Sequence, residues 1–537
     1  MYKLLLFFIA FTSIFNVNAQ EHAWVFLKDK PNASTYLNNP LLMLSQRALD
    51  RRTTQNIDIV ESDVPIESTY YSQISASDGI TVLAKSKWLN AIHVFGEEAA
   101  INNLQTSLDF IDEIEFANKN IGVAAKKDVV VKQNHQSKFQ ETYAEFNYGD
   151  ATNQIEMLNG QILHENNFTG SGMQIAVIDA GFPNVDTMEA FARIRDNNQI
   201  LGGYDFVDRS EEFYDDHNHG THVLSDIAGY LENEFVGTAP DASFYLFRTE
   251  DANNETPLEE TLWVEAAERA DSLGVDVINT SLGYTTFDDS KYDYTYADMD
   301  GETTFISRGA KVGASKGMLL VTSVGNSGSS AWKYMGAPAD VDEVFSIGAV
   351  DANEDIAFFS SFGPTPDGRI KPDVLAQGRN AGIINYITDS PSTSNGTSFS
   401  SPIMAGLVAC FWQAFPDKTN LEIMQMIRES ADRYTNPTDQ YGYGIPDFSV
   451  AYDTSLSIDD DSIETIGIYP NPASNMIYVE GLGAMIYSFE IYNTTGEHIV
   501  SGTIEHSTIN VSSLASGIYF LRVFNATNQE IKKIIVE

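Results

Sequence analysis

The chain has 537 residues, with 32 Lys and Arg against 75 Asp and Glu, and its formal net charge is −43. Such a charge would repel phosphate, so nucleic acid is excluded as an expected partner. The length exceeds what one hydrophobic core supports and fits about three or four domains. The single cysteine, Cys410, excludes an internal disulfide bond, and we expect it to be an inert, packed thiol.

Residues 1–19 have the pattern of a signal peptide. Lys3 precedes an apolar run from Leu4 to Phe15, and Val17-Asn18-Ala19 provides a small-residue cleavage site. No later stretch is apolar for long enough to span a membrane. The sequence therefore predicts an exported protein whose mature form has no transmembrane segment.

Residues 20–130 form the next predicted domain, of mixed α and β structure. Trp24 to Leu27 indicates a strand, Leu44 to Arg52 a helix, and Ile80 to Phe95 one or two further strands. A polar linker over 131–150 then leads into a larger domain, predicted for residues 151–455.

The run from Met173 to Asp179 is short and mostly apolar, and it ends at an acid followed by Ala180-Gly181. This pattern is typical of a central parallel strand, and open α/β sheets place their sites at the carboxyl ends of such strands. Asp179 is therefore a candidate site residue. Taken alone, it could equally be an aspartate in a strand-ending turn.

Three histidines lie close together in residues 215–223. Gly220-Thr221 and an apolar pattern follow His219, so it should begin a helix with its ring free to project into a cleft. A metal site is the weaker interpretation, because the spacing is not that of two ligands one turn apart with a glutamate between them. We instead expect one of His217 and His222 on the surface and the other packed and hydrogen-bonded.

Two further predicted strands end at glycines. Leu319 to Val324 runs into Gly325-Asn326, which holds the Asn326 amide at a strand end, although Asn326 could simply take a left-handed turn. Val275 to Thr280 runs into Ser281-Leu282-Gly283, whose glycine leaves a backbone edge that an extended peptide could pair with.

Residues 396–406 place Ser398 between small residues, directly ahead of a predicted buried helix, and Pro402 fits the first turn of that helix. A helix start presents unpaired N–H groups and a positive dipole end. These would stabilise the oxyanion that attack by Ser398 on a carbonyl would create. A helix cap is the commoner fate of such a serine, so a nucleophile also needs a base, an orienting acid and a second oxyanion donor.

The order Asp179, His219, Asn326 and Ser398 resembles that of the subtilisin-like serine proteases, the subtilases of peptidase family S8. The resemblance implies an α/β fold with a parallel sheet flanked by helices. It also implies that Asp179, His219 and Ser398 form the catalytic triad and that Asn326 is the oxyanion asparagine. The implied substrate-binding strand consists of Ser281, Leu282 and Gly283.

One further segment resembles the family, and two positions depart from its usual pattern. Arg369 to Asp373, RIKPD, resembles a segment that precedes the serine motif in the family. Ala180 replaces the Ser or Thr that usually follows the aspartate, and Phe399-Ser400 replaces a smaller pair after the serine. Neither departure removes a catalytic group.

The family resemblance implies a secreted serine endopeptidase that hydrolyses peptide bonds of proteins through an acyl-enzyme. Secreted subtilases typically carry an N-terminal prodomain, which assists folding and occupies the active site. Residues 20–130 have the position and size of such a prodomain, and a standalone α+β domain is the alternative. A structural calcium ion is left open, because no loop has convincing ligand spacing, and no other cofactor or metal is expected.

An acidic linker over 456–465 precedes a tail of short alternating strands over 466–537. Tyr469 to Pro472, Gly517 to Phe520 and Lys532 to Ile535 resemble the C-terminal sorting domain of the Bacteroidetes type IX secretion system, a small β-sandwich. The resemblance implies that type IX machinery carries the protein from the periplasm across the outer membrane. The protein would then be secreted or held at the cell surface. A generic carbohydrate- or surface-binding β-module is the alternative.

Two other classes of function stay open from the sequence. One is a catalytically dead, subtilase-like binding protein, against which the intact candidate residues argue. The other is a surface adhesin whose functional part is the β-rich tail. Deletion of the tail would abolish binding by an adhesin, whereas a protease would lose only its location.

Overall fold

The computed structural model describes residues 20–121, 146–456, 467–480, 487–504, 507–524 and 529–537. The predicted signal peptide, most of the polar linker and nearly all of the acidic linker lie outside the described residues. The chain divides into two compact units, one extending to Thr454 and the other beginning at Ser455. Within the described ranges, no helix combines the length and apolar character needed to cross a membrane.

The first unit opens with a lobe over residues 20–121, called here the N-terminal lobe. Its helices and strands are β1 Gln20–Leu27, α1 Ala33–Leu37, α2 Gln46–Thr54, α3 Ser68–Ser75, β2 Ile80–Ser86, β3 Ala91–Glu97, α4 Glu98–Ser107 and β4 Ile111–Phe116. The strands form an antiparallel sheet in the order β2-β3-β1-β4. The predicted mixed α and β structure of this lobe is confirmed.

The rest of the first unit is built around a larger sheet. Its helices and strands are α5 Thr152–Glu156, α6 Gln161–Glu165, β5 Gln174–Asp179, α7 Ala192–Asp196, β6 Ile200–Asp205, α8 His219–Ala228, β7 Tyr230–Leu231, β8 Phe235–Val236, β9 Ser243–Arg248, α9 Pro257–Leu273, β10 Val277–Thr280, α10 Phe305–Ser315, β11 Leu319–Ser323, β12 Phe345–Val350, β13 Val374–Gln377, β14 Ala381–Asn385, β15 Ser390–Ser394, α11 Thr397–Ala414, α12 Asn420–Glu429 and α13 Phe448–Leu456. Seven strands pair in parallel in the order β13-β12-β11-β10-β5-β9-β6.

The parallel sheet is buried on both faces, as its apolar strands predict. Along β5, Ile175 and Val177 belong to one hydrophobic core, whereas Ala176 and Ile178 belong to a second core. The first core packs against α8 and α11, and the second packs against α9 and α10. Helices therefore flank both faces, which confirms the predicted fold class.

The long helix α11 passes through the first core. It has 18 residues, and every residue from Thr397 to Trp412 is buried. The prediction that Pro402 lies in the first turn is wrong, because α11 begins at Thr397 and Pro402 lies inside the helix. Cys410 packs within α11, and burial raises the pKa of its thiol well above the ordinary value. This burial is consistent with an inert thiol.

The N-terminal lobe packs on the outer sides of α9 and α10. Trp24 and Trp88 of the lobe are buried in the same core as these helices, and the Trp24 ring stacks on Phe305 with centroids 4.7 Å apart. Trp24 Nε1 also donates to Thr261 Oγ1 of α9 over 2.9 Å. Apolar packing and directed polar contacts thus hold the lobe against the larger domain.

The second unit consists of short antiparallel strands. They are β16 Gly467–Tyr469, β17 Met476–Glu480, β18 Ser488–Asn493, β19 His498–Thr503, β20 Thr508–Asn510, β21 Gly517–Phe524 and β22 Gln529–Val536. They form a three-stranded sheet, β16-β17-β20, and a four-stranded sheet, β19-β18-β21-β22. Ile477 and Ile509 of the first sheet share one core with Ile491 and Leu521 of the second. Two sheets around one core are the predicted small β-sandwich.

Candidate active site

The candidate acid and base are joined by a hydrogen bond. Asp179 is the last residue of β5 and is 1% exposed, and His219 is the first residue of α8. His219 Nδ1 lies 2.7 Å from Asp179 Oδ1, although 40 residues separate the two in the chain. This bond fixes the ring, so that Nε2 faces away from the carboxylate.

Close packing of α8 against the end of β5 makes the contact possible. A Cβ on Gly220 would lie 2.4 Å from the Gly181 carbonyl oxygen and 3.0 Å from Asp179 Cβ. Only glycine at 220 therefore permits this approach. The Ala180 N–H donates to Asp179 Oδ1 over 2.8 Å, whereas Asp179 Oδ2 is buried and has no hydrogen-bond partner among the described residues.

Ser398 is the second residue of α11 and is 8% exposed. Its hydroxyl donates to the Ser281 carbonyl oxygen over 3.2 Å. The next side chain, Phe399, lies beside the candidate base, with its ring centroid 6.0 Å from that of His219. Gly396 precedes the helix at φ +155°, a conformation that would strain any other residue.

Asn326 follows β11 and is held by the residue next to the candidate nucleophile. Asn326 Oδ1 accepts from the Thr397 N–H over 2.9 Å and from Thr397 Oγ1 over 3.2 Å. With Oδ1 engaged in this way, the Nδ2 group is left to donate elsewhere. The left-handed conformation in this turn belongs to Gly325, at φ +95°, so the turn interpretation of Asn326 is wrong.

The predicted substrate strand continues from β10 past the start of α11. The Ser281 hydroxyl donates to the Ser398 carbonyl oxygen over 2.9 Å, and the Gly283 backbone is exposed. Tyr284 then pairs with Ala337 as an antiparallel bridge. The structure thus brings all seven candidate residues to the carboxyl ends of β5, β10 and β11 and to the starts of α8 and α11.

One of the two other histidines lies on the surface and the other is packed, as the sequence predicts. His217 is exposed, and its Nδ1 accepts from the His219 N–H over 3.3 Å. His222 packs against Tyr386 with ring centroids 5.6 Å apart, but its buried Nε2 has no hydrogen-bond partner among the described residues. Burial and the neighbouring His219 lower the pKa of His222 to about 4. The packed position of His222 is as expected, and its ring makes no hydrogen bond through Nε2 to any described residue.

The electrostatic environment favours a charged ring at His219. Burial by itself would lower the pKa of His219, but the Asp179 carboxylate and its hydrogen bond outweigh burial and raise that pKa. Nearby, burial raises the pKa of Glu250 to about 8, assisted by the negative charges of Glu255 and Asp179. Tyr284 donates a 2.7 Å hydrogen bond to this carboxyl group.

Two groups of acidic residues are close enough together to be candidates for a calcium site. The carboxylate oxygens of Asp205, Asp215 and Asp216 lie within 4.8 Å of one another, but Arg248 Nη1 lies 2.6 Å from Asp205 and 2.7 Å from Asp216. The Arg248 guanidinium thus already occupies the space beside two of these three carboxylates, and a cation placed there would be repelled by it.

In the second acidic group, Glu250, Glu255 and Glu259 also lie within 4.8 Å of one another. The Asp251 and Thr256 N–H groups donate to the Glu259 carboxylate over 2.9 Å and 2.8 Å, and the contact with Thr256 caps the start of α9. We therefore assign no metal ion to either of these two acidic groups.

Sequence reasoning gave no role to several residues that shape this site. Thr397 directly precedes Ser398, and Asn279 lies two residues before Ser281, so closeness in the chain was the signal that could have found them. Glu250 and Tyr284 have no sequence signal, because only the packing of β9 beside β5 brings Glu250 near Asp179.

Three family profiles match the chain. The profile of the Subtilase family matches residues 170–444, which include all seven candidate residues. The profile of the Bacteroidota peptidase S8 propeptide domain matches residues 22–137, and that of a secretion system C-terminal sorting domain matches residues 467–537.

Curated relatives are bacterial serine proteases. The chain is 28% identical to the serine protease AprX of Bacillus subtilis over 53% of its own length and 66% of the relative's. It is 32% identical to a thermophilic serine proteinase of a Bacillus species over 51% of its length and 60% of the relative's, so it spans less than two thirds of both proteins. For subtilisin DY of Bacillus licheniformis, the values are 28% identity, 54% of this chain and 93% of the relative. With a profile match across half of the chain and the site geometry described above, the chain belongs to the subtilase family.

Proposed function

We propose that the protein is a secreted serine endopeptidase, made as a zymogen, that hydrolyses peptide bonds through Asp179, His219 and Ser398. The observation that carries this proposal is the 2.7 Å bond between His219 and Asp179, together with the Phe399 ring, which directly follows Ser398 in the chain and lies 6.0 Å from the His219 ring. Covalent labelling of Ser398 by a fluorophosphonate tests it. A catalytically dead binding protein would stay unlabelled.

In the proposed reaction, Ser398 Oγ rotates from the Ser281 carbonyl towards His219 and attacks the scissile carbonyl carbon. His219 Nε2 accepts the hydroxyl proton and passes it to the leaving amine, while Asp179 stabilises the charged ring. Water then attacks the acyl-enzyme: His219 Nε2 takes a proton from the water and passes it to Ser398 Oγ, which leaves as the hydroxyl. The Asn326 Nδ2 group and the Ser398 N–H would bind the oxyanion.

The flanking domains support the zymogen and the export route. The N-terminal lobe, matched as a propeptide domain, packs on the domain that carries the site. The C-terminal sandwich, matched as a sorting domain, would direct type IX export, with release or retention at the cell surface. Proteins or peptides are the proposed substrates. The domain boundaries at residues 130, 150 and 455 stay predictions.

The Asn326→Ala variant should lose about 10²–10³-fold in kcat with little change in KM, the range found for the same donor in subtilisin. The alanine removes a group that would bind the oxyanion only as charge develops in the transition state. Steady-state peptide hydrolysis measures the effect. Asn353→Ala, in an exposed loop after β12, is the control and should retain wild-type kcat. An unchanged kcat in Asn326→Ala would remove Asn326 from the oxyanion site.

Activity should fall on acidification through the pKa of His219, because a protonated ring cannot accept the Ser398 proton. Since Asp179 raises that pKa, the acid limb of kcat/KM should lie above the ordinary histidine value of about 6.5. The pH–rate profile of the wild type measures its position. Asp179→Asn should move the limb to lower pH, and a limb that stays in place would argue against this coupling.

A further inference from the structure

The carbonyl oxygen of Ser398 has a hydrogen-bond partner from outside its helix. In an α-helix this oxygen would accept from the N–H of the residue four positions later, which here is Pro402 and has no N–H. The Ser281 hydroxyl donates to it instead, over 2.9 Å. A side chain that follows β10 thus replaces the missing bond in the first turn of α11.

Asn279, on the same strand, orients the Ser281 hydroxyl. Asn279 Nδ2 donates to Ser281 Oγ over 3.1 Å, so the hydroxyl proton is directed to the Ser398 carbonyl oxygen. Asn279 Oδ1 in turn accepts from Ser401 Oγ over 3.0 Å, which fixes the amide. Asn279 and Ser401 are fully buried, and Ser281 is 5% exposed. Water cannot easily replace these bonds.

We propose that Asn279 is a positioning residue of the active site, acting through Ser281 on the backbone of Ser398. The inference rests on the proposed function. Ser398 would supply both the nucleophilic oxygen and one oxyanion N–H, so a shift of its backbone displaces both groups together. Displacements of about 1 Å can cost about 10²-fold in rate.

The test uses the full chain with Asn279→Ala, Ser281→Ala and the double variant. Each single variant should lose about 10- to 10²-fold in kcat with KM nearly unchanged, and fluorophosphonate labelling of Ser398 should slow by the same factor. Because Asn279 acts through Ser281, the double variant should be no slower than Ser281→Ala alone. Ser281→Thr keeps the hydroxyl and should recover most of the rate.

Thr322→Val is the matched control. Thr322 lies on β11, paired with Thr280 of β10, and its buried hydroxyl has no hydrogen-bond partner among the described residues. Loss of that hydroxyl should leave kcat at the wild-type value. If Thr322→Val lowered kcat as much as Asn279→Ala does, any buried substitution in these strands would be sufficient to slow the reaction. That result would overturn the inference.

Wild-type labelling separates the two proposals. If Ser398 of the wild type is not labelled, the proposed function fails and this inference fails with it. If the wild type is labelled and Asn279→Ala and Ser281→Ala react as fast, only the inference fails. Additive losses in the double variant would also overturn it. Should Asn279→Ala not fold, as judged by circular dichroism, the comparison of Ser281→Ala with Ser281→Thr decides the role of the hydroxyl.

Discussion

Replacing Ser398 by alanine should abolish peptide hydrolysis, with a loss of about 10⁶-fold in kcat, as for the corresponding change in subtilisin. The expected loss is this large because Ser398 Oγ would form the covalent bond to the substrate, and the methyl group of alanine cannot form it. The fold should persist, since the hydroxyl makes one 3.2 Å hydrogen bond and Ala is at least as good a helix former. Peptide hydrolysis and the Tm of the purified variant measure the two effects.

Ser400→Ala is the control for this prediction. Ser400 lies two residues later in the same buried turn, and its hydroxyl donates to the Thr397 carbonyl oxygen over 3.0 Å. It has no place in the proposed reaction, so its loss should change kcat little. Substantial hydrolysis by Ser398→Ala, together with a wild-type fluorophosphonate label at another serine, would contradict the assignment.

Replacing Asp271 by alanine should weaken the attachment of the N-terminal lobe by about 3–5 kcal/mol. Asp271 of α9 is completely buried and accepts from Arg51 and from Arg52 of the lobe, the latter through both carboxylate oxygens at 2.8 Å. Arg52 also pairs with Asp63 over 3.0 Å. Without Asp271, the buried guanidinium groups of Arg51 and Arg52 lose the carboxylate that they share, and Arg52 keeps only its pair with Asp63.

The attachment of the lobe is measured after cleavage of the chain that connects it to the larger domain. In the wild type, the cleaved lobe should co-elute with the larger domain in size-exclusion chromatography, and in Asp271→Ala it should separate. Glu115→Gln is the control, because Glu115 pairs with Arg308 across the same interface but is 36% exposed, and such pairs contribute about 0–1 kcal/mol. Equal effects of the two changes would show that buried charge does not hold the lobe.

Much of the site could be predicted from local patterns. Short apolar runs that end in Asp179 and near Asn326 are strands whose ends bear polar groups, and the small residues around Ser398 indicate a close-packed helix start. These features depend only on residues close together in the chain, so a single sequence is enough to predict them. The error at Pro402 has a tertiary cause, because the Ser281 hydroxyl supplies the donor that proline lacks and the helix can start five residues earlier.

By itself, the sequence determined the domain order, the fold class and the identities of the seven candidate residues. Tertiary structure alone decided which atoms meet: His219 with Asp179 across 40 residues, Thr397 with Asn326, and Arg52 with Asp271. It also decided the raised pKa of His219, which depends on burial and on the distance to a carboxylate. The physical reason is that periodicity reports which face of an element is buried, whereas hydrogen bonds and charge interactions depend on distances of a few ångströms between remote segments.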